Sequence, residues 1–333
     1  MAGHADVDRF SGIFGVTVTP FSADGTSIDE AGVQRVVDLL LDDGIDRLVP
    51  CGNTGEYWTL SIEERRRVVE LTAARCAGRA ATLVVGAGGT IGEVVAAAEH
   101  AARNGADAVM VHHPTHPYPT GEGLVAYWRA IAARSPLPIV PYLKTAIDGD
   151  TVRRMADLPA VVAVKWGVND LPAFARAVAA SGGVAGARVR WICGTAELWA
   201  PFYWAAGAVG FTSGLVNVAA RPALELLAAL EAMDRQRTMA IWERIRPFEQ
   251  LRARQADGIN VAVVKEAMRQ VGRPSGPIRA PSSEVGPAER VEIAAWLADW
   301  GLTSSDATHT GESSSARDSA DSAPVTTTSG AAR

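Results

Sequence analysis

Short apolar runs alternate with amphipathic stretches through most of the chain. Runs rich in Val, Ala and Ile predict strands at 13–19, 47–51, 81–86, 106–112, 138–142, 161–165, 189–193 and 207–212. Between them, apolar positions at helical spacing predict helices near 29–43, 62–77, 91–104, 121–134, 150–157, 170–180 and 197–206. The start signals agree: Ser61 with Glu64 three residues on spells a capping box, and Asp170-Leu-Pro172 puts a proline near a helix start. Eight strands joined by seven crossovers suit a closed parallel barrel better than two separate domains. Further helical stretches near 220–232, 235–254, 259–271 and 287–299 complete the barrel and add an extension.

The expected fold class is therefore α/β, a TIM (β/α)8 barrel with a C-terminal three-helix extension. Its expected layout is a flexible N-terminus over 1–10, the barrel over 11–232, the extension over 233–300 and a tail over 301–333. From 303 to 333 the chain holds 14 Ser and Thr in 31 residues, with no aromatic and no Leu, Ile or Met. Such a segment buries too little apolar surface to offset its ordering entropy, so the tail is expected to be disordered.

Composition narrows the setting more than the chemistry. A net charge of −5 over 333 residues argues against nucleic acid or an anionic membrane as a partner. No apolar run reaches the ~18 residues of a membrane span, and the N-terminus lacks a secretory apolar core, so a cytoplasmic setting is expected. Cys51, Cys76 and Cys193 are scattered and odd in number, which offers no disulfide framework. The 32 basic residues, however, are 29 Arg and three Lys: Lys144, Lys165 and Lys265. In a chain this sparing of lysine, each one invites a question.

Barrel enzymes carry their chemistry at the C-terminal ends of the strands. Two of the lysines fall there. Lys165 ends the apolar run Val161-Val-Ala-Val-Lys165 and is followed by Trp166. Apolar surroundings and a neighbouring cation at Lys144 would both favour its neutral amine, which forms imines as arginine cannot. It reads either as a Schiff-base nucleophile or as a lysine paired with a carboxylate. Tyr142, ending the fifth strand, reads as a proton relay or as a phenol bonded to backbone. The turn Gly52-Asn53-Thr54-Gly55 reads as a carboxylate nest or as a plain turn. Ser213 reads as a contact to substrate hydroxyls or as a turn cap. Lys265, inside a helical stretch, reads as an ordinary partly buried or surface residue.

Two motifs are discounted. In His112-His-Pro-Thr-His116, Pro114 breaks helical spacing and no carboxylate lies between 108 and 121, so no metal is expected and His116 is placed as a polar pocket-lining residue. Gly86-Ala-Gly-Gly-Thr90 lacks both the dinucleotide and the P-loop spacing, so no nucleotide or other cofactor is expected.

Taken together, Gly-Asn-Thr-Gly-Glu after strand two, Tyr ending strand five, Val-Lys ending strand six and Gly210-Phe-Thr-Ser-Gly-Leu-Val-Asn-Val218 resemble the dihydrodipicolinate synthase / N-acetylneuraminate lyase family. The likeness runs from about Gly12 to Trp300. It implies a homotetrameric or homodimeric barrel that forms an imine between Lys165 and a small-molecule 2-oxo acid. It further implies that Asn53, Thr54 and Gly55 hold the substrate carboxylate and that Tyr142 moves protons. Lys144 and Ser213 then contact substrate, with Trp166, Gly194 and Thr212 lining the pocket beside His116.

The departures from the synthases are specific. They usually carry Thr-Thr where this chain has Asn53-Thr54, a second Tyr near the place of His116, and an Arg where Ile147 stands. The order Tyr142-Leu-Lys144 is similar to the Tyr-x-Arg of 5-dehydro-4-deoxyglucarate dehydratases. So is 258–272 with the following Gly276-Pro-Ile-Arg-Ala-Pro281. The expectation is a dehydratase or aldolase acting on a 2-oxo-3-deoxy sugar acid. Dihydrodipicolinate synthase is the alternative, and a non-catalytic 2-oxo-acid-binding barrel a third reading.

Overall fold

A computed structural model describes residues 7–183 and 188–302 of the chain. The expected tail from 303 onward and the first six residues lie outside that range. Eight strands run parallel in a closed barrel, in chain order: β1 (Gly12–Val16), β2 (Arg47–Val49), β3 (Thr82–Ala87), β4 (Ala108–Val111), β5 (Ile139–Leu143), β6 (Ala163–Trp166), β7 (Arg190–Cys193) and β8 (Gly210–Ser213). Closure comes from β1 against β8, with Gly12 opposite Gly210 and Phe14 opposite Thr212.

The crossover helices are α1 (Glu30–Asp42), α2 (Ile62–Cys76), α3 (Ile91–Arg103), α4 (Gly121–Ala132), α5 (Gly149–Ala156), α6 (Leu171–Ala180) and α7 (Ala196–Ala205), with α8 (Arg221–Glu231) closing the ring. Their starts follow from local chemistry. Ser61 and Thr90 each form a full capping box with Glu64 and Glu93, and Asp29, Asp148 and Asp170 accept from backbone amides one turn ahead. Two strands differ from expectation by three residues at an end, the others by one or two. β1 stops at Val16 because the Val18 amide goes to the Asn217 side chain and the Thr19 hydroxyl to the Gly55 carbonyl. β8 begins at Gly210 because Gly207, at φ +109°, still terminates α7.

Strand alternation divides the apolar residues into two layers. Phe14, Val16, Val49, Met110, Val140 and Ile192 fill the barrel, whereas Val85, Val109, Leu143, Val164 and Phe211 face the helices. The extension, α9 (Arg235–Arg252), α10 (Asn260–Gln270) and α11 (Pro287–Asp299), packs α9 along α7 and α8. The segment joining α9 to α10 then reaches the open end of the barrel. Among the described residues no helix is long and apolar enough to cross a membrane.

Candidate active site

Tyr142 and Lys165 are register partners on β5 and β6 and share the inward face. Period-two alternation puts both over the same cavity, and the Lys165 Nζ rests 4.1 Å from the centre of the Tyr142 ring. Two glycines make room. A Cβ on Gly167 would stand 2.6 Å from Tyr142 Cε2, and one on Gly194 would stand 2.9 Å from Lys165 Cγ. The cavity, about 270 Å³, opens at the C-terminal ends of the strands and is lined by Asn53, Thr54, Tyr142, Lys144, Lys165, Gly194 and Thr212 among others.

Lys165 is 4% exposed, and burial, followed by the charge of Lys144, pushes it down to about 7. No carboxylate acts on it among the described residues. Lys144, at the rim, has its Nζ 5.5 Å from the same Tyr142 ring; the surrounding wall lowers it and Asp257 opposes that shift. Burial and then Asp257 hold the Tyr142 phenol well above its ordinary value, against a hydrogen bond that Asn53 Nδ2 donates at 3.3 Å.

The turn after β2 is ordered by its own backbone. The Gly55 amide donates to the Gly52 carbonyl at 3.1 Å and the Glu56 amide to the Asn53 carbonyl at 3.0 Å. Among the described residues the Asn53 and Thr54 amides have no internal acceptor, and Thr54 is buried at the cavity wall.

Several expectations need correction. Trp166 does not line the cavity. It follows an inward residue, so it points outward, edge-on to Phe174 and Trp191. Ser213 follows inward Thr212 in the same way and donates its hydroxyl to the buried Glu197, away from the cavity. Gly55 serves the turn rather than the pocket, because its amide is bonded and its carbonyl accepts from Thr19. His116 stands exposed on the loop after β4, its Nδ1 accepting from the Tyr118 amide. The other two imidazoles diverge: His112 is buried against the Cys51 carbonyl at 3.0 Å and pushed to about 3 by burial, while His113 faces Thr145.

Lys265 is the largest surprise. It is fully buried, 2.5 Å from Glu56 at the end of the Gly-Asn-Thr-Gly-Glu turn, and donates to the Pro277 carbonyl at 2.9 Å. Sequence reasoning also missed Glu249, Arg252, Asp257 and Asn260, which the extension brings to the cavity wall.

A family model, the dihydrodipicolinate synthetase family, matches residues 9–299. The chain belongs to that family. Its members are class I, Schiff-base lyases, and the chain is an enzyme of that class. Among relatives, the 4-hydroxy-tetrahydrodipicolinate synthase of Methanothrix thermoacetophila is 33% identical over 298 residues, covering 87% of this chain and 98% of its own. A "Probable 5-dehydro-4-deoxyglucarate dehydratase" of Ralstonia nicotianae is 30% identical over 296 residues, covering 86% and 92%. Of solved structures, the Bacillus clausii dihydrodipicolinate synthase superposes with a TM-score of 0.85 at 41% identity, covering 89% of this chain and 99% of that one. The family thus includes both condensing and dehydrating relatives.

Proposed function

We propose that Lys165 is the imine-forming residue of a lyase that dehydrates or cleaves a 2-oxo-3-deoxy sugar acid. The observation that carries this is a buried lysine, near neutral in pKa, without a carboxylate partner among the described residues and packed on a tyrosine ring. A structural lysine buried to this degree would be expected to have a countercharge.

The substrate C1 carboxylate rests on the Thr54 hydroxyl and the Asn53 and Thr54 amides. The neutral Lys165 amine attacks C2, and loss of water leaves a protonated imine. That imine draws electrons from C3, which gives up a proton toward Tyr142 and forms an enamine. A phenol held protonated by its surroundings is an acid first; the adjacent iminium charge is what makes its oxygen a usable base. The enamine then expels the C4 hydroxyl, taking a proton from Lys144 to leave as water. Alternatively, in the protonated imine before C3 is deprotonated, loss of the C4 hydroxyl proton breaks the C3–C4 bond, leaving an aldehyde and an enamine that Tyr142 protonates at C3 to give back the imine. Hydrolysis of the imine releases product and restores Lys165. The enzyme is proposed to work in the cytoplasm as a homodimer or homotetramer.

The second reading, condensation of pyruvate with aspartate semialdehyde, is favoured by the names of most relatives. Against it, Ile147 brings only an apolar, half-buried side chain. Borohydride reduction in the presence of pyruvate, followed by mass mapping, tests the mechanism. It should add the reduced adduct at Lys165, and an unlabelled Lys165 would defeat the proposal. Turnover of aspartate semialdehyde would favour the second reading.

A further inference from the structure

With the carboxylate end of the substrate on the Thr54 side, the rest of the cavity that receives its remaining carbons has a wall built by the extension. Arg252 on α9 supplies that wall with a guanidinium whose side chain is 5% exposed. Its Nη1 donates to Glu249 Oε1 at 2.5 Å and its Nη2 to Asn260 Oδ1 at 3.0 Å. Its buried Nε has no partner among the described residues. Two of a guanidinium's five N–H groups are thus accounted for, and the residue borders the cavity.

We infer that Arg252, Glu249 and Asn260 form a subsite for an uncharged, hydroxylated chain, so that the substrate is a 2-oxo-3-deoxy acid bearing a single carboxylate. This rests on the imine reading above. The argument is one of charge. A second carboxylate set against Arg252 would also meet Glu249, which already takes up the positive charge. Like charges brought together in a water-poor site repel strongly. Lys144 is no freer, since the carboxylate of Asp257 acts on it and both residues border the same cavity. Behind the wall, the Glu197 carboxyl accepts from Ser213 and is raised by burial and by the charge of Glu249, so it adds no attraction for an anion. What remains is a set of donors and acceptors side by side: the Arg252 N–H groups and the Asn260 amide beside the Glu249 carboxylate. A hydroxyl, which both gives and accepts a hydrogen bond, is the group such a set satisfies.

The test compares two probes of equal carbon number on the full chain, a 2-oxo-3-deoxyaldonate and a 2-oxo-3-deoxyaldarate, with pyruvate in parallel. The wild type should favour the aldonate by about tenfold or more in kcat/KM, or in borohydride trapping rate, chiefly through KM. In Glu249→Gln the ratio of aldarate to aldonate should rise about tenfold. Because the ratio is taken within each protein, a general loss of activity cancels. A wild type that prefers the aldarate overturns the subsite, as does an unchanged ratio in Glu249→Gln. Either result with an intact pyruvate adduct at Lys165 leaves the imine reading standing. Absence of that adduct removes both.

Discussion

Two lysines in this molecule are both buried but differently placed. Lys165, at the end of β6, has a tyrosine ring, a second lysine and a cysteine around it. Lys265, inside α10, has the Glu56 carboxylate, the Pro277 carbonyl and the Phe21 ring at 4.1 Å. Burial depresses both, and at Lys265 Glu56 opposes the shift. Burial alone therefore does not make an amine reactive. What separates the two is the sign of the nearest charge: a cation beside Lys165 favours the free base, and a carboxylate beside Lys265 retains the ammonium as a structural tie.

The largest expected effect breaks the comparison at the chemical end. Lys165→Met should abolish borohydride-trapped adduct and lower kcat by roughly 10³-fold or more. It should also make the protein more stable. The folded pKa of about 7 lies below the ordinary 10.5, so the folded state binds fewer protons than the unfolded state between those values. The cost of keeping Lys165 is full below pH 7 and gone above about 10.5, and the gain in Tm should follow that course. A variant destabilised at pH 6 would contradict this.

Lys265→Met should do the opposite. It leaves Glu56 buried without its partner, at a cost of about 3–5 kcal/mol in denaturant unfolding, and Lys265→Met with Glu56→Gln should regain much of the loss. Additive losses in the double variant would mean the pair is not coupled.

A subtler change concerns Lys144. Trapping by pyruvate should rise with pH through about 7 in the wild type and level off. Lys144→Met should move that inflection upward, because removing a neighbouring cation favours the Lys165 ammonium. An inflection that stays put would assign the depression to burial alone. The smallest effect is expected from Asn53→Ala, which removes one long hydrogen bond to Tyr142 and should lower kcat by less than about tenfold, with adduct formation kept.

Much of the barrel was legible because strands buried on both faces read as apolar runs, and because serine, threonine and aspartate at helix starts announce themselves locally. Lys165 and Tyr142 were legible for the same local reason, each closing an apolar run. Trp166 and Ser213 were misplaced although parity argued against them: if Lys165 and Thr212 face inward, their successors face the helices. Lys265, Arg252 and Asp257 were beyond local reading. Their roles depend on the extension folding back over strands that precede it by most of the chain, and periodicity within a helix does not say which distant carboxylate or cavity it meets.

The Glu56–Lys265 tie is reinforced nearby. The Arg279 amide donates to Glu56 Oε2 at 3.1 Å, and its guanidinium holds Glu64 at 2.8 and 2.9 Å. The turn that carries Thr54 is therefore braced by residues more than two hundred positions downstream. During synthesis all eight strands leave the ribosome before the groups that brace this turn exist, so the nascent barrel is expected to stay inert until its last helices dock. A chain ended at Glu231 should accordingly take up no pyruvate adduct, whatever barrel it forms.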